Sequence, residues 1–304
     1  LKRSNLSLID AHVTDITVKD ENITNLVLSN GDIIGADLFI DCTGFRAILA
    51  NAVGAKWDTS YSERLYVDSA LAVQLPYRDK ATQMRNTTYC HALKNGWVWN
   101  VPLQTRIGTG YVFSSRYTSE DDARIEFKEH LNKMYGYDKE ELNFRKVDFN
   151  VGIRPESWKN NVVAIGLSSF FLEPIESTAI STMHYQISTL YDMITTDYIL
   201  PKDKIKRFNS VNKMAVDAIA SYIELHYIMS KRKDSQFWKD ISSIELTSVQ
   251  KETIELYLDP NRSFNRKTVN AVTGGHNLFD QSSFLFLYLG IGVWWGGWGG
   301  GGGG

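Results

Sequence analysis

Ala36-Asp37-Leu38-Phe39-Ile40-Asp41-Cys42-Thr43-Gly44-Phe45 reads as a buried strand that ends in a glycine turn. The residues before it alternate polar with apolar. Ile16-Thr17-Val18, Leu26-Val27-Leu28 and Ile33-Ile34 are short strand candidates, and Ser29-Asn30-Gly31-Asp32 supplies a hairpin turn between the last two. A small hairpin feeding a buried strand that closes on Thr43-Gly44 lets backbone approach a flat or phosphorylated ligand at the strand's carboxyl end. A glycine needed only for a tight turn would leave the same trace.

A second strand-like run, Val162-Val163-Ala164-Ile165-Gly166-Leu167, leads into Phe170-Phe171-Leu172-Glu173-Pro174-Ile175-Glu176-Ser177-Thr178-Ala179-Ile180-Ser181-Thr182. Helical spacing follows to about Tyr198 through Ile180, Met183, His184, Ile187, Leu190, Tyr191 and Ile194, and again over 205–230. Proline suits the first turn of a helix, which predicts a helix start at Pro174. Glu176, Ser177 and Thr178 would then lie in that first turn, where backbone N–H groups without partners form an anion site. Acidic and hydroxyl residues are equally favoured there as plain caps. Strands followed by helices place the chain in the α/β class, α+β overall.

Between these segments the chain reads mostly as β structure, with Leu71–Leu75, Trp97–Val101 and Gly110–Phe113 as strand candidates. Trp97 and Trp99 are two apart and so share one strand face. They could wall an aromatic ligand or simply fill core. Ser119–Tyr135 reads as a capped helix with Ile125, Phe127, His130, Leu131 and Met134 at helical spacing.

The 304 residues, 43% hydrophobic with a net charge of −2, describe a globular chain with no basic field for nucleic acid or an anionic membrane. The apolar run Phe284–Val293 is too short to span a bilayer. Cys42 and Cys90 fit no disulfide framework or metal-ligand spacing, which suggests a reducing compartment and a cytoplasmic location. No pair of the six histidines has metal-type spacing, so no metal site is expected; His184 and His226 read as helix-packing residues. Residues 294–304, tryptophan and glycine alone, are read as an artificial or unassigned tail and carry no functional reading.

Taken together, the chain resembles the flavin-dependent halogenases of the tryptophan-halogenase family. Gly96-Trp97-Val98-Trp99-Asn100-Val101-Pro102 is similar to the family's Gly-Trp-x-Trp-x-Ile-Pro signature, and Glu173-Pro174-Ile175-Glu176-Ser177-Thr178-Ala179 to its Glu-Pro-Leu-Glu-Ser-Thr-Gly. Tyr222-Ile223-Glu224-Leu225-His226-Tyr227 resembles the family's Phe-Ile-x-x-His-Tyr, and the matches keep one order over roughly 1–293. The resemblance implies a flavoprotein-monooxygenase-like FAD module (1–50 and 150–182), a substrate-side β-sheet region (51–149) and a helical substrate domain (183–293). It implies that FADH2 from a partner flavin reductase, with O2 and chloride, bromide or iodide, gives hypohalous acid that halogenates a small aromatic substrate. Glu176 would be catalytic, and the Thr178 and Ala179 amides would hold the halide. Thr43, Gly44, Gly166, Leu167 and Ser177 would line FAD, and Trp97, Trp99, Pro102 and Phe171 the ring pocket. A homo-oligomer is allowed.

Two family features lack a match. The Gly-x-Gly-x-x-Gly phosphate loop and the lysine of the family have no counterpart, since Gly108-Thr109-Gly110 continues into Tyr111-Val112-Phe113. An upstream segment carrying both is therefore expected before Leu1. Gly274-Gly275-His276-Asn277-Leu278-Phe279 offers no carboxylate to hold an amino group, which favours an indole or phenol over free tryptophan. The alternatives are a flavin-dependent aromatic hydroxylase, distinguished by its oxygenated product, and a non-catalytic flavoprotein-fold remnant.

Overall fold

Turn chemistry sets the first hairpins. In the computed structural model Gly31 takes φ +90°, which costs glycine nothing, and its N–H closes the turn on the Leu28 carbonyl. The structure describes residues 6–137, 142–195, 201–259, 261, 263–273 and 278–293. Its strands run β1 (Val13–Lys19), β2 (Asn22–Leu28), β3 (Ile33–Ile34), β4 (Phe39–Asp41), β5 (Ser69–Leu75), β6 (Tyr89–Leu93), β7 (Gly96–Pro102), β8 (Ile107–Phe113), β9 (Arg145–Asp148), β10 (Gly152–Ile153), β11 (Trp158–Lys159), β12 (Val162–Ala164) and β13 (Phe170–Phe171). The helices are α1 (Ile48–Ala52), α2 (Lys80–Gln83), α3 (Glu120–Tyr135), α4 (Ala179–Thr195), α5 (Pro201–Ile228), α6 (Gln236–Ile241), α7 (Ser248–Leu258), α8 (Arg266–Thr273) and α9 (Gln281–Gly290). The mixture is α/β as expected. No described helix is long and apolar enough to cross a membrane.

The chain divides into two units. The first comprises Leu1–Asp58, Ile153–Phe170 and Thr182–Lys213. In it β1, β2 and β3 form an antiparallel sheet, while β4 pairs in parallel with β12, Phe39 opposite Val162. Most of α4 and the first half of α5 belong here, not to a separate helical region beginning at residue 183.

The α4 pattern holds only in part: Leu190 is buried and Met183 packs beside it in the core. Ile180 and Tyr191 are 73% and 66% exposed, and Ile187 and Ile194 are exposed with them, while Thr182 and Gln186 are buried. Buried polar partners decide this. Gln186 accepts from the Gly166 amide at 2.8 Å and donates to Ser169 Oγ and Asn212 Oδ1; Asn212 donates in turn to Ser157 and Ser169. A satisfied network of this kind fixes a helix face as firmly as apolar packing does. The expected continuation of this helix to Tyr198 falls on residues outside those described.

The second unit comprises Thr59–Gly152, Phe171–Ser181 and Met214–Gly304. Its sheet has the order β6-β7-β8-β5-β9, antiparallel throughout. Strand alternation gives it two faces of different character. On one, Leu71, Val98, Ile107, Tyr111 and Phe113 pack under Ala123, Phe127 and Leu131 of α3. That helix starts where Ser119 Oγ accepts from the Asp122 N–H and stops at Gly136 in the left-handed conformation. Its Ile125 and Met134 face solvent, so the buried stripe is narrower than the spacing implied. The other face carries Trp97 and Trp99.

Candidate active site

The glycine turns come first. β4 and β12 are parallel neighbours, so the residues that leave them emerge at one end of the sheet. Thr43-Gly44 and Gly166-Leu167 are therefore brought together, and Ser168 Oγ donates to the Gly44 carbonyl at 3.1 Å. Gly44 and Gly166 have φ +69° and +63°, a region that favours glycine. A Cβ at Gly44 would meet nothing within 4 Å, so the backbone there is an open ledge. Buried Asp41 holds it in shape. One carboxylate oxygen accepts from the Thr43 amide and hydroxyl at 2.9 and 2.7 Å, the other from the Leu49 and Ala50 amides at the start of α1. Buried Arg154 donates to the Ser168 and Ala55 carbonyls and to Asn51 Oδ1. This end of a parallel pair is where open α/β sheets bind ligands, and a half-buried glycine ledge with open space above Gly44 fits a flavin.

In the second unit Trp97 and Trp99 share a face of β7, their rings 6.4 Å apart at 62°. The cross-strand neighbours on that face are small or slim. Ala92, Val112 and Ala70 lie in register with Trp97; Cys90, Gly110 and Ala72 lie in register with Trp99. A Cβ on Gly110 would overlap the Trp99 ring and lie 2.7 Å from the Leu71 carbonyl oxygen. Pro102 is corrected here. Three and five residues beyond the indoles, it falls on the opposite face with Val98, in register with Ile107. Phe171 is half-buried, its ring edge-on to Phe149 at 5.0 Å.

The Glu-Pro-Ile-Glu segment also departs from expectation. The Ser177 N–H donates to the Pro174 carbonyl at 2.9 Å, so Pro174 opens a tight turn with Ile175 and Glu176 at its centre. Ser177 has φ +52°, which a right-handed helix cannot accommodate, so α4 starts only at Ala179. Glu176 and Ser177 thus precede the helix, Thr178 adjoins it, and Ala179 opens its first turn. A non-glycine residue in this conformation stores on the order of 1 kcal/mol and is commonest at functional turns.

Two consecutive residues of α5 hold both carboxylates of the turn. His226 Nε2 lies 2.6 Å from Glu176 Oε1, and the Tyr227 hydroxyl donates to Glu173 Oε2 at 2.6 Å. Glu173 is 3% exposed. Its Oε1 and the Trp97 Nε1 are buried without a partner of normal geometry. Burial pushes the Glu173 carboxyl up to about 8, against the pull of Tyr227 and Trp97 and with a further push from Glu176. The acid is therefore mostly neutral near pH 7. Across the sheet from Trp99, Cys90 is an accessible thiol whose partial desolvation, with the charges of Glu176 and Glu173, raises it to about 11.

Of the residues singled out in the sequence, Glu176, Ser177, Thr178, Ala179, Trp97, Trp99 and Phe171 fall in the second unit. Thr43, Gly44, Gly166 and Leu167 fall in the first. His226, Glu173, Tyr227 and Gly110 carry roles that the sequence reading did not assign. The Tyr222–Tyr227 pattern was the available signal for two of them. Among the described residues no His, Cys, Asp or Glu cluster could hold a metal.

Comparison with known proteins adds a frame. The tryptophan halogenase family model matches residues 2–296. Tryptophan 7-halogenase RebH of Lentzea aerocolonigenes is 36% identical over 238 residues, which cover 78% of this chain and 44% of RebH. The structure of tryptophan 6-halogenase SttH of Streptomyces toxytricini superposes with a TM-score of 0.82 at 32% identity, over 93% of this chain and 56% of that one. BrvH, a flavin-dependent halogenase of Brevundimonas sp. BAL3, gives 0.80 at 30%, over 94% and 56%. The chain spans about half the length of the curated relatives it matches.

Proposed function

The chain belongs to the tryptophan halogenase family, and on that premise we propose that it serves a flavin-dependent halogenase acting on an indole- or phenol-type ring. When bound, reduced FAD supplies the oxidising chemistry that converts halide and O2 to hypohalous acid, and a separate flavin reductase supplies the FADH2. The Thr43-Gly44 and Gly166-Leu167 turns hold the flavin. The resemblance gives Ser177 to the flavin as well, and the amides of Thr178 and Ala179 at the start of α4 would cradle the halide. Trp97 and Trp99, with Phe171, wall the ring pocket and exclude water from the oxidant. Glu176 orients the halogenating species and accepts the proton that the ring loses. The lysine called for by the resemblance has no matching position in these residues, so none of this chain's lysines is given its role. The substrate stretch at 274–277 lies outside the described residues, and the preference for a ring without an amino-acid group rests on its sequence alone.

The observation that carries this reading is the Glu176 carboxylate. It is fixed by His226 at 2.6 Å in a strained turn that opens directly into the α4 N-terminus. The intact protein, given FAD, a flavin reductase, bromide and indole or phenol, should yield a product with the bromine isotope pattern. An oxygenated, halogen-free product would replace the reading with a hydroxylase. Glu176→Gln should lower halogenation by about 100-fold or more while reduced flavin is still consumed.

A further inference from the structure

His226 has no part in the chemistry assigned above, yet its surroundings are specific. Its Nδ1 lies 3.2 Å from the Tyr222 carbonyl one turn back in α5, which anchors the ring to its own helix on that side. Its Nε2 lies 2.6 Å from Glu176 Oε1. An ionised carboxylate only accepts, so one proton lies between Nε2 and Oε1 whichever atom holds it. Oε1 is committed to that proton. Oε2 has no hydrogen-bond partner among the described residues, and the Glu176 side chain stays 29% exposed.

The imidazole is held on its other sides as well. Tyr222 packs edge-on to it at 5.3 Å. Tyr222 is itself stacked on Phe279 at 3.8 Å, set edge-on to Phe284 at 4.9 Å, and bonded through its hydroxyl to the Ser283 carbonyl. The ring sits in the last turn of α5, where helix carbonyls favour positive charge. The titratable groups facing the pair are Glu173, Cys90, Tyr222 and Tyr227, with Asp280 beyond Tyr222. Burial keeps the first four mostly neutral near pH 7. The pair therefore works as a unit built around one shared proton.

We infer that His226 is the positioning residue of Glu176: it locks one carboxylate oxygen, aims the other at the substrate ring, and shares the charge when a proton arrives. This rests on the halogenation proposed above. In the step concerned, the C–H bond at the halogenated ring carbon breaks and its electron pair restores the aromatic system. The proton passes to Glu176 Oε2. The pair gains one unit of positive charge, spread over carboxyl and imidazole. Nothing else is consumed.

The test compares wild type, His226→Gln and His226→Leu in the intact enzyme, using ordinary and ring-deuterated indole. Both variants should lose about 10- to 100-fold in kcat with KM and reduced-flavin consumption unchanged. The deuterium isotope effect should rise above the wild-type value, because proton removal becomes slow. Two variants with wild-type kcat and isotope effect, or with a changed KM alone, would overturn the inference. Pairing is read apart from turnover by proton NMR of nitrogen-15 histidine-labelled enzyme. A strongly downfield His226 Nε2 proton should be present in wild type and lost in Glu176→Gln. If wild type makes no halogenated product, the proposed function falls, and presence or absence of that signal still decides the pairing. If wild type halogenates and the signal is missing, the inference falls alone.

Discussion

At the scale of single residues the turn at 173–177 separates two carboxylates by environment. Glu173 is sealed against Tyr227 and Trp97, and Glu176 is paired with a histidine and reachable. Two acids in such different surroundings are the usual material for dividing structural and chemical roles. The buried one makes a prediction of its own. Its carboxyl titrates at about 8 when folded against 4.5 ordinarily. Between those values the folded state keeps a proton that the unfolded chain has released, so stability falls as pH rises through the window. The loss amounts to about 1.4 kcal/mol per pH unit inside it. Melting curves should therefore drop from about pH 5 to about pH 8 in wild type and flatten in Glu173→Gln, which keeps the neutral form. Glu176 was legible because it lies inside a recognisable segment. His226 was not, because an imidazole among apolar helix residues looks the same whether it packs or pairs. Only the tertiary approach of α5 to the turn distinguishes the two.

At the scale of elements, period two was the most readable signal. The β1–β2 and β2–β3 hairpins and the shared face of Trp97 and Trp99 follow from it directly. The same rule, carried three residues further, removes Pro102 from that face. Helical period was less faithful. Part of the apolar pattern of α4, at Ile180, Ile187, Tyr191 and Ile194, points outward while Leu190 and Met193 stay buried, because Gln186 is needed for the Gly166 amide and the Asn212 side chain, a demand that no periodicity count contains. The start of α4 was missed for a related reason: proline at a turn entrance and proline in a first helical turn differ only through the left-handed Ser177 that follows. On β8, Gly110 is set by the ring lying over it. Gly110→Ala should cost about 1–3 kcal/mol in urea unfolding, since the ring or the sheet must move. The same variant should shift tryptophan emission as Trp99 leaves its place.

At the scale of the molecule, two units divide the assigned roles. Glycine turns at the end of the β4–β12 pair belong to one, the indole face and the paired carboxylates to the other. A change confined to the first tests that division. Gly44→Ala places a side chain at φ +69°, a strain of about 1–2 kcal/mol. FAD affinity, followed by flavin fluorescence in the intact protein, should weaken about tenfold. The Glu176–His226 proton signal should stay where it was. The α/β class, the parallel pair with its two glycine turns and the double-tryptophan strand could all be anticipated from local pattern and resemblance. The boundary between the units could not, because α4 and α5 read as one helical region and only their packing divides them. The small residues beneath the indoles also bear on how the protein could be altered. Ala70, Ala72, Ala92 and Gly110 each sit in register with one of the two rings proposed to wall the pocket. Mutant libraries meant to change which ring is accepted should include these positions, of which Ala70 and Gly110 are buried. At Ala70 or Gly110 one added methyl group would tilt an indole plane and reshape the pocket, leaving every exposed side chain as it is.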